Sequence, residues 1–126
     1  MAKSYSIYIV EDEMLLTVAM KSQLIKAGYR VLGISTRGET CLNDLQKFAN
    51  SDHLPDYVFM DISLKGEMDG LEAARLIREK YGCKIVFLSG LSGGKSFEIA
   101  RQFGPEGFLT KPFEIEDAMK LMESSK

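Results

Sequence analysis

Tryptophan is absent from this 126-residue sequence, histidine occurs once, cysteine twice and proline three times. The lone histidine, His53, excludes any site that needs a histidine pair. It lies in the polar stretch Asn50-Ser51-Asp52-His53 and reads as a loop residue. Cys41 and Cys83 lack the spacing of a metal or redox pair, and are expected to be buried thiols in a reduced compartment. No apolar run approaches the roughly 20 residues of a membrane span. The first run, Ile7 to Val10, is followed at once by Glu11-Asp12-Glu13, which no signal peptide tolerates. Neither sign of charge is in excess: 16 basic and 18 acidic residues leave a net charge of -2, mixed along the chain. That balance supplies no electrostatic footprint for nucleic acid and no basic face for a membrane surface. Repeats, linkers and low-complexity tracts are also missing. The expectation is a soluble, cytoplasmic protein built as one domain over residues 1–126, with enough apolar residues (45%) to bury a core unaided.

What is present is five short apolar runs: Ser6–Val10, Arg30–Ile34, Tyr57–Met60, Lys84–Leu88 and Gly107–Leu109. The first, third and fourth are nearly continuous in apolar character, which suits strands buried on both faces of a parallel sheet. Between them lie helical periodicities. Leu16, Met20, Leu24 and Ala27 share one face, with Gly28 as a stop. Cys41, Leu42, Leu45 and Phe48 mark a second helix, and Leu71, Ala74, Ile77 and Tyr81 a third that ends at Gly82. Phe97, Ile99, Ala100 and Phe103 mark a fourth, ended by Gly104, and Ile115, Ala118, Met119 and Met122 the last. Strand then helix, five times over, predicts an α/β fold with a doubly wound parallel sheet. The flavodoxin-like (βα)5 arrangement, strand order 2-1-3-4-5, is the expected topology, with a site where the first and third strands lie side by side.

Ligands in such a sheet bind beyond the carboxyl ends of the strands. Glu11 and Asp12 follow the first run, Asp61 ends the third, Ser89 follows the fourth and Lys111 the fifth. Three acids, a hydroxyl and a lysine are therefore expected on one sheet edge. Two like charges about 4 Å apart repel by roughly 4 kcal/mol at an effective dielectric near ~20, so the acids need a shared cation or a shared proton. Oxygen donors without histidine or cysteine point to a hard ion, magnesium or manganese. Direct ligation is assigned to Asp12 and Asp61, with Glu11 acting through water. A carboxylate can attack phosphorus to give an acyl phosphate. The remaining work is neutralising the equatorial oxygens, for which the metal, the Lys111 ammonium and the Ser89 hydroxyl are the partners at hand. Asp61 is the expected nucleophile, because it ends a central strand opposite both other acids.

The stretches Ile9-Val10-Glu11-Asp12-Glu13, Met60-Asp61-Ile62, Met68-Asp69-Gly70-Leu71-Glu72, Phe87-Leu88-Ser89-Gly90 and Gly107-Phe108-Leu109-Thr110-Lys111-Pro112-Phe113 come in order along essentially the whole chain. Together they resemble the response-regulator receiver domain of two-component signalling. The resemblance implies that Asp61 is phosphorylated and that Glu11 and Asp12 are the acidic pair holding magnesium. It further implies that the Ser63 carbonyl joins the metal, that Ser89 and Phe108 are the switch hydroxyl and switch aromatic, that Lys111 is the conserved-type lysine of the family, and that the peptide bond between Lys111 and Pro112 is cis. It implies a histidine kinase or phosphotransfer protein as phosphodonor. A downstream protein would be read by the surface of the fourth helix, fifth strand and fifth helix, and the domain would catalyse only its own phosphorylation and dephosphorylation. The sequence departs from the commoner pattern with Glu at position 11, Ser at 89, Phe at 108, and a loop Ile62–Met68 one residue longer and without its usual proline.

Taken singly these residues have plainer readings. Glu11 and Asp12 could cap the following helix, Asp61 and Ser89 could sit in ordinary turns, Lys111 could be solvated and Phe108 could be core. Asp69 is read as a cap on the third helix, with Gly70 easing entry into it. An aspartate-nucleophile phosphatase of haloacid-dehalogenase type is the rival function. It would place its nucleophile on the first strand with a second Asp two residues on, whereas Asp61-Ile62-Ser63 is on the third. A receiver that binds without phosphorylation and a flavin-binding module of the same fold fit less well, the latter because no phosphate-cradling loop follows the first strand.

Overall fold

The computed structural model describes residues 4–64, 66–90 and 95–124, with only the backbone described at Lys95 and Ser96. Lys65, in the longer loop after Asp61, lies outside the described residues. Within them the five apolar runs become strands β1 (Ser6–Val10), β2 (Arg30–Ser35), β3 (Tyr57–Asp61), β4 (Lys84–Ser89) and β5 (Gly107–Thr110). They alternate with α1 (Met14–Lys26), α2 (Gly38–Asn50), α3 (Gly70–Tyr81), α4 (Lys95–Phe103) and α5 (Ile115–Ser124). All pairings are parallel, as the alternation predicts, and the order β2-β1-β3-β4-β5 is the expected one.

Burial follows position in the sheet. Every residue of β1 and β3 is buried, and so is all of β4 after Lys84, because helices cover both faces of these central strands. Edge strand β2 is only partly covered, and so is β5. One core packs Cys41 and Leu45 of α2, Ala73, Ala74 and Ile77 of α3, and Ala100 of α4 against Tyr8, Val58, Met60, Ile85 and Phe87. The opposite face packs Met20 and Leu24 of α1 with Ala118 and Met122 of α5 against Ile7, Ile9, Phe59, Val86 and Leu88. Asp69 caps α3 as expected, its carboxylate accepting from the Glu72 amide at 2.8 Å, and Gly82 closes the helix in the left-handed region at φ 70°. Among the described residues no helix is long and apolar enough to cross a membrane.

Helix α1 holds a feature that periodicity did not reveal. Its inner face carries the expected Met20 and Leu24, yet Met14, Leu15, Val18 and Ile25 stay exposed, Leu15 at 84%. The helix is apolar on two sides and only one of them is covered.

Both cysteines are buried with free thiols, in the same core. Burial raises the Cys83 thiol to about 11 and pushes Cys41 higher still, and burial together with the Asp44 contact raises the Tyr8 phenol. The folded protein therefore keeps protons that the unfolded chain loses. The stability this represents is complete below the ordinary thiol range near pH ~8.5 and is lost as pH rises through the folded values. The urea midpoint is accordingly expected to hold level up to about pH 8 and to fall progressively above about pH 9. A flat midpoint through pH ~10.5 would contradict it.

Candidate functional site at the carboxyl edge of the sheet

The carboxyl ends of β1, β3, β4 and β5 deliver their following residues to one edge. Glu11 leaves β1 with its backbone held by Ser35, whose carbonyl accepts from the Glu11 amide at 3.0 Å. Asp61 is the last residue of β3, and its neighbour Ile62 donates its amide to Leu88 of β4 at 3.0 Å. The Lys111 amide donates to the Ser89 carbonyl at 2.7 Å, tying the ends of β4 and β5 together. The Lys111–Pro112 peptide bond is cis.

These anchors bring side chains from three strands into contact. The Lys111 Nζ lies 2.9 Å from Glu11 Oε1 and 3.4 Å from Asp61 Oδ1. Carboxylate oxygens of Glu11, Asp12 and Asp61 lie within 4.8 Å of one another. Glu11 and Asp61 are buried, whereas Asp12 is open to solvent. Burial raises the Glu11 carboxyl above the usual carboxylate range and Asp61 pushes it the same way, while Lys111 and the Glu13 amide oppose them. For Lys111 burial works against the charge, but the hydrogen bond to Glu11 and the charge of Asp61 outweigh it and hold the ammonium above its ordinary value. Lys111 is thus a fixed cation.

Three carboxylates face one ammonium, and two of the three are buried. Their oxygen-only donor set fits a small hard divalent cation, which would offset the charge that Lys111 alone leaves unbalanced. Glu11 already uses both oxygens, Oε1 on Lys111 and Oε2 on the Glu13 amide at 3.0 Å.

The receiver resemblance gives Ser63 a role only through its carbonyl. The structure adds that the Ser63 amide and hydroxyl both donate to Asp61 Oδ1, at 2.9 and 3.0 Å. With Lys111 beside it, that oxygen is held from two directions. Gly70, assigned no more than an easy helix entry, is packed so closely that a Cβ there would lie 2.1 Å from the Asp61 carbonyl oxygen. A turn signal in sequence gives no hint of either contact. Ser89 is buried at the end of β4. Phe108 is half-buried, 4.7 Å from Phe97 and 5.9 Å from Phe87 between ring centroids, on the α4 side of the sheet.

Comparison with known proteins agrees with this architecture. The response regulator receiver domain family model matches residues 7–123. The chain is 32% identical over 117 residues to the transcriptional regulatory protein PdtaR of Mycobacterium tuberculosis, covering 93% of this chain and 54% of that protein. It is 27% identical to the chemotaxis protein CheY of Bacillus subtilis, covering 97% of this chain and 98% of that one. The chain spans about half the length of the first curated relatives it matches. Among solved structures, the signal receiver domain of a modulated diguanylate cyclase from Desulfovibrio desulfuricans superposes with a TM-score of 0.86 at 28% identity, covering 98% of this chain and 94% of that one. Strand order, helix placement and a match over nearly every residue leave one assignment: the chain belongs to the response regulator receiver domain family of two-component signalling.

Proposed function

We propose that residues 1–126 act as a single phospho-acceptor switch in which Asp61 is the nucleophile. The observation that carries this reading is the convergence of Glu11, Asp12, Asp61 and Lys111 from the ends of β1, β3 and β5 onto one edge. Asp61 Oδ1 is engaged by Ser63 and Lys111, so Oδ2 is the attacking oxygen. It forms an O–P bond as the N–P bond of a phosphohistidine, on a histidine kinase or phosphotransfer protein, breaks; the leaving imidazole nitrogen keeps the electron pair and takes a proton from solvent. Hydrolysis of the acyl phosphate by water returns the carboxylate and inorganic phosphate, so the domain turns over only its own modification. Lys111 pairs with one phosphoryl oxygen and the Ser89 hydroxyl with another.

Domains of this family bind magnesium at an acidic pocket. Here Asp12 and Asp61 would hold the ion with the Ser63 carbonyl, Glu11 acting through water because both of its oxygens already have partners. Bound there, magnesium (or manganese) neutralises charge on the phosphoryl group.

Once Ser89 closes on the phosphoryl group, Phe108 repacks inward. The surface of α4, β5 and α5 then shifts toward a form that a downstream protein reads. The phosphodonor approaches over α1, which shares its sheet face with α5. Leu15, Val18 and Ile25 leave an exposed apolar stripe along α1 with Lys21 and Lys26 beside it, which suits an apolar helix with acidic flanks. The cytoplasm is the compartment this signalling chemistry implies.

The test is intact mass after incubation with acetyl phosphate and magnesium. One added phosphoryl group is expected, and none when a chelator is present. Uptake that ignores the chelator would remove the metal from the scheme. With a phosphorylated histidine phosphotransfer domain as donor, Leu15→Asp should slow transfer about tenfold or more while uptake from acetyl phosphate stays at the wild-type rate. Equal slowing with both donors would move the effect from docking to the site itself.

A further inference from the structure

A helix end exposes carbonyls that have no partner within the helix. At the C-terminal end of α4 that need is met by another helix. Arg78, in the last turn of α3, donates Nη1–H to the Phe103 carbonyl and Nη2–H to the Gly104 carbonyl, each at 2.8 Å. Its guanidinium carbon also lies 3.7 Å from the centroid of the Phe103 ring. Two donors in a rigid plane, with one face laid on an aromatic ring, form a contact that lysine's single rotatable ammonium cannot reproduce. Phe103 in turn sets its ring edge-on to Phe87 at 5.5 Å, and Phe87 stacks on Phe108, which touches Phe97 nearer the start of α4. The half of α4 that holds Phe97 thus rests on the residue proposed to move, while its far end is fastened to α3.

We propose that Arg78 is a positioning residue that clamps the C-terminal end of α4, so that the helix pivots about Phe103–Gly104 when Phe108 repacks. The pivot rests on the switch reading above; the clamp does not. A loose helix would let repacking at Phe108 dissipate as general fraying. A helix fixed at one end converts it into a directed displacement of the other, on the face assigned to the downstream partner.

Amide hydrogen exchange on wild type and Arg78→Lys tests both parts, with Arg78→Ala as a second variant. In the unphosphorylated protein, Arg78→Lys should speed exchange at amides 101–104 by about tenfold more than at the β3 and β4 amides. A uniform change that tracks global stability would overturn the clamp. In the second arm, acetyl phosphate and magnesium are added, and intact mass confirms equal phosphoryl uptake by both proteins. The phosphorylation-linked change in exchange should be confined to the Phe97 half of α4 in wild type and reach amides 101–104 in Arg78→Lys. An identical distribution in the two proteins would overturn the pivot. Failure of phosphoryl uptake in wild type would sink the phospho-acceptor reading and the pivot with it, while the first arm still decides the clamp.

Discussion

Asp61→Asn is expected to take up no phosphoryl group from acetyl phosphate in magnesium, a loss on the order of a thousandfold or more, the scale for removing a nucleophile. The substitution is nearly isosteric, so the fold should survive it. The amide oxygen can still accept from the Ser63 amide and hydroxyl, which now bind Asp61 Oδ1 at 2.9 and 3.0 Å. Removing the charge also lessens the repulsion that helps raise the buried Glu11 carboxyl, and it leaves Lys111 paired to Glu11 at 2.9 Å. Stability without metal should therefore be unchanged or higher, while magnesium affinity falls. The discriminating measurement is intact mass alongside the urea midpoint. Wild-type labelling of a folded Asp61→Asn protein would place the acceptor elsewhere.

Gly70→Ala should cost about 3 kcal/mol or more in unfolding free energy, lowering Tm by about 10 °C or more. The cause is steric: the new Cβ would stand 2.1 Å from the Asp61 carbonyl oxygen and 3.4 Å from the Ile62 Cα, and both obstacles are backbone. No rotamer change relieves such a clash, so either the start of α3 or the end of β3 must move. Movement at β3 shifts Asp61 itself, and phosphoryl uptake by the folded fraction should fall as well. Gly90→Ala is the control. Among the described residues nothing lies within 4 Å of a Cβ at that position, and its stability should stay within about 0.5 kcal/mol of wild type. Equal stability of the two variants, by urea denaturation, would mean that the approach of Gly70 to Asp61 is looser than the structure has it.

Much of the frame was legible before any coordinates. The runs at Ile7–Val10, Tyr57–Met60 and Lys84–Leu88 are apolar without alternation because strands covered on both faces have no solvent side to mark. Alternation and crossover handedness leave few arrangements open, and the expected order 2-1-3-4-5 is the one the sheet adopts. The acids and the lysine were legible because chemistry in such a sheet gathers beyond strand ends, so a position in sequence became a position in space. The second apolar side of α1 was not. The helical periodicity marks the inward stripe of Leu16, Met20 and Leu24 correctly, but it does not say that Leu15 and Val18 stay uncovered, since that depends on what the rest of the fold places over them. Nor could Arg78 be told from any basic residue at a helix end, since its partners sit 25 and 26 positions away.

The order of apolar runs and punctuating glycines, read alone, determined the alternating α/β class, narrowed the sheet order to a few arrangements and marked which side chains would share an edge, because these follow from local periodicity and from the few ways a parallel sheet can be wound. The tertiary structure alone decided how Lys111 is divided between Glu11 and Asp61, that Ser63 holds Asp61 by its hydroxyl, and how near Gly70 comes to the strand. These are matters of ångströms between segments remote in the chain, and local patterning carries no record of such distances.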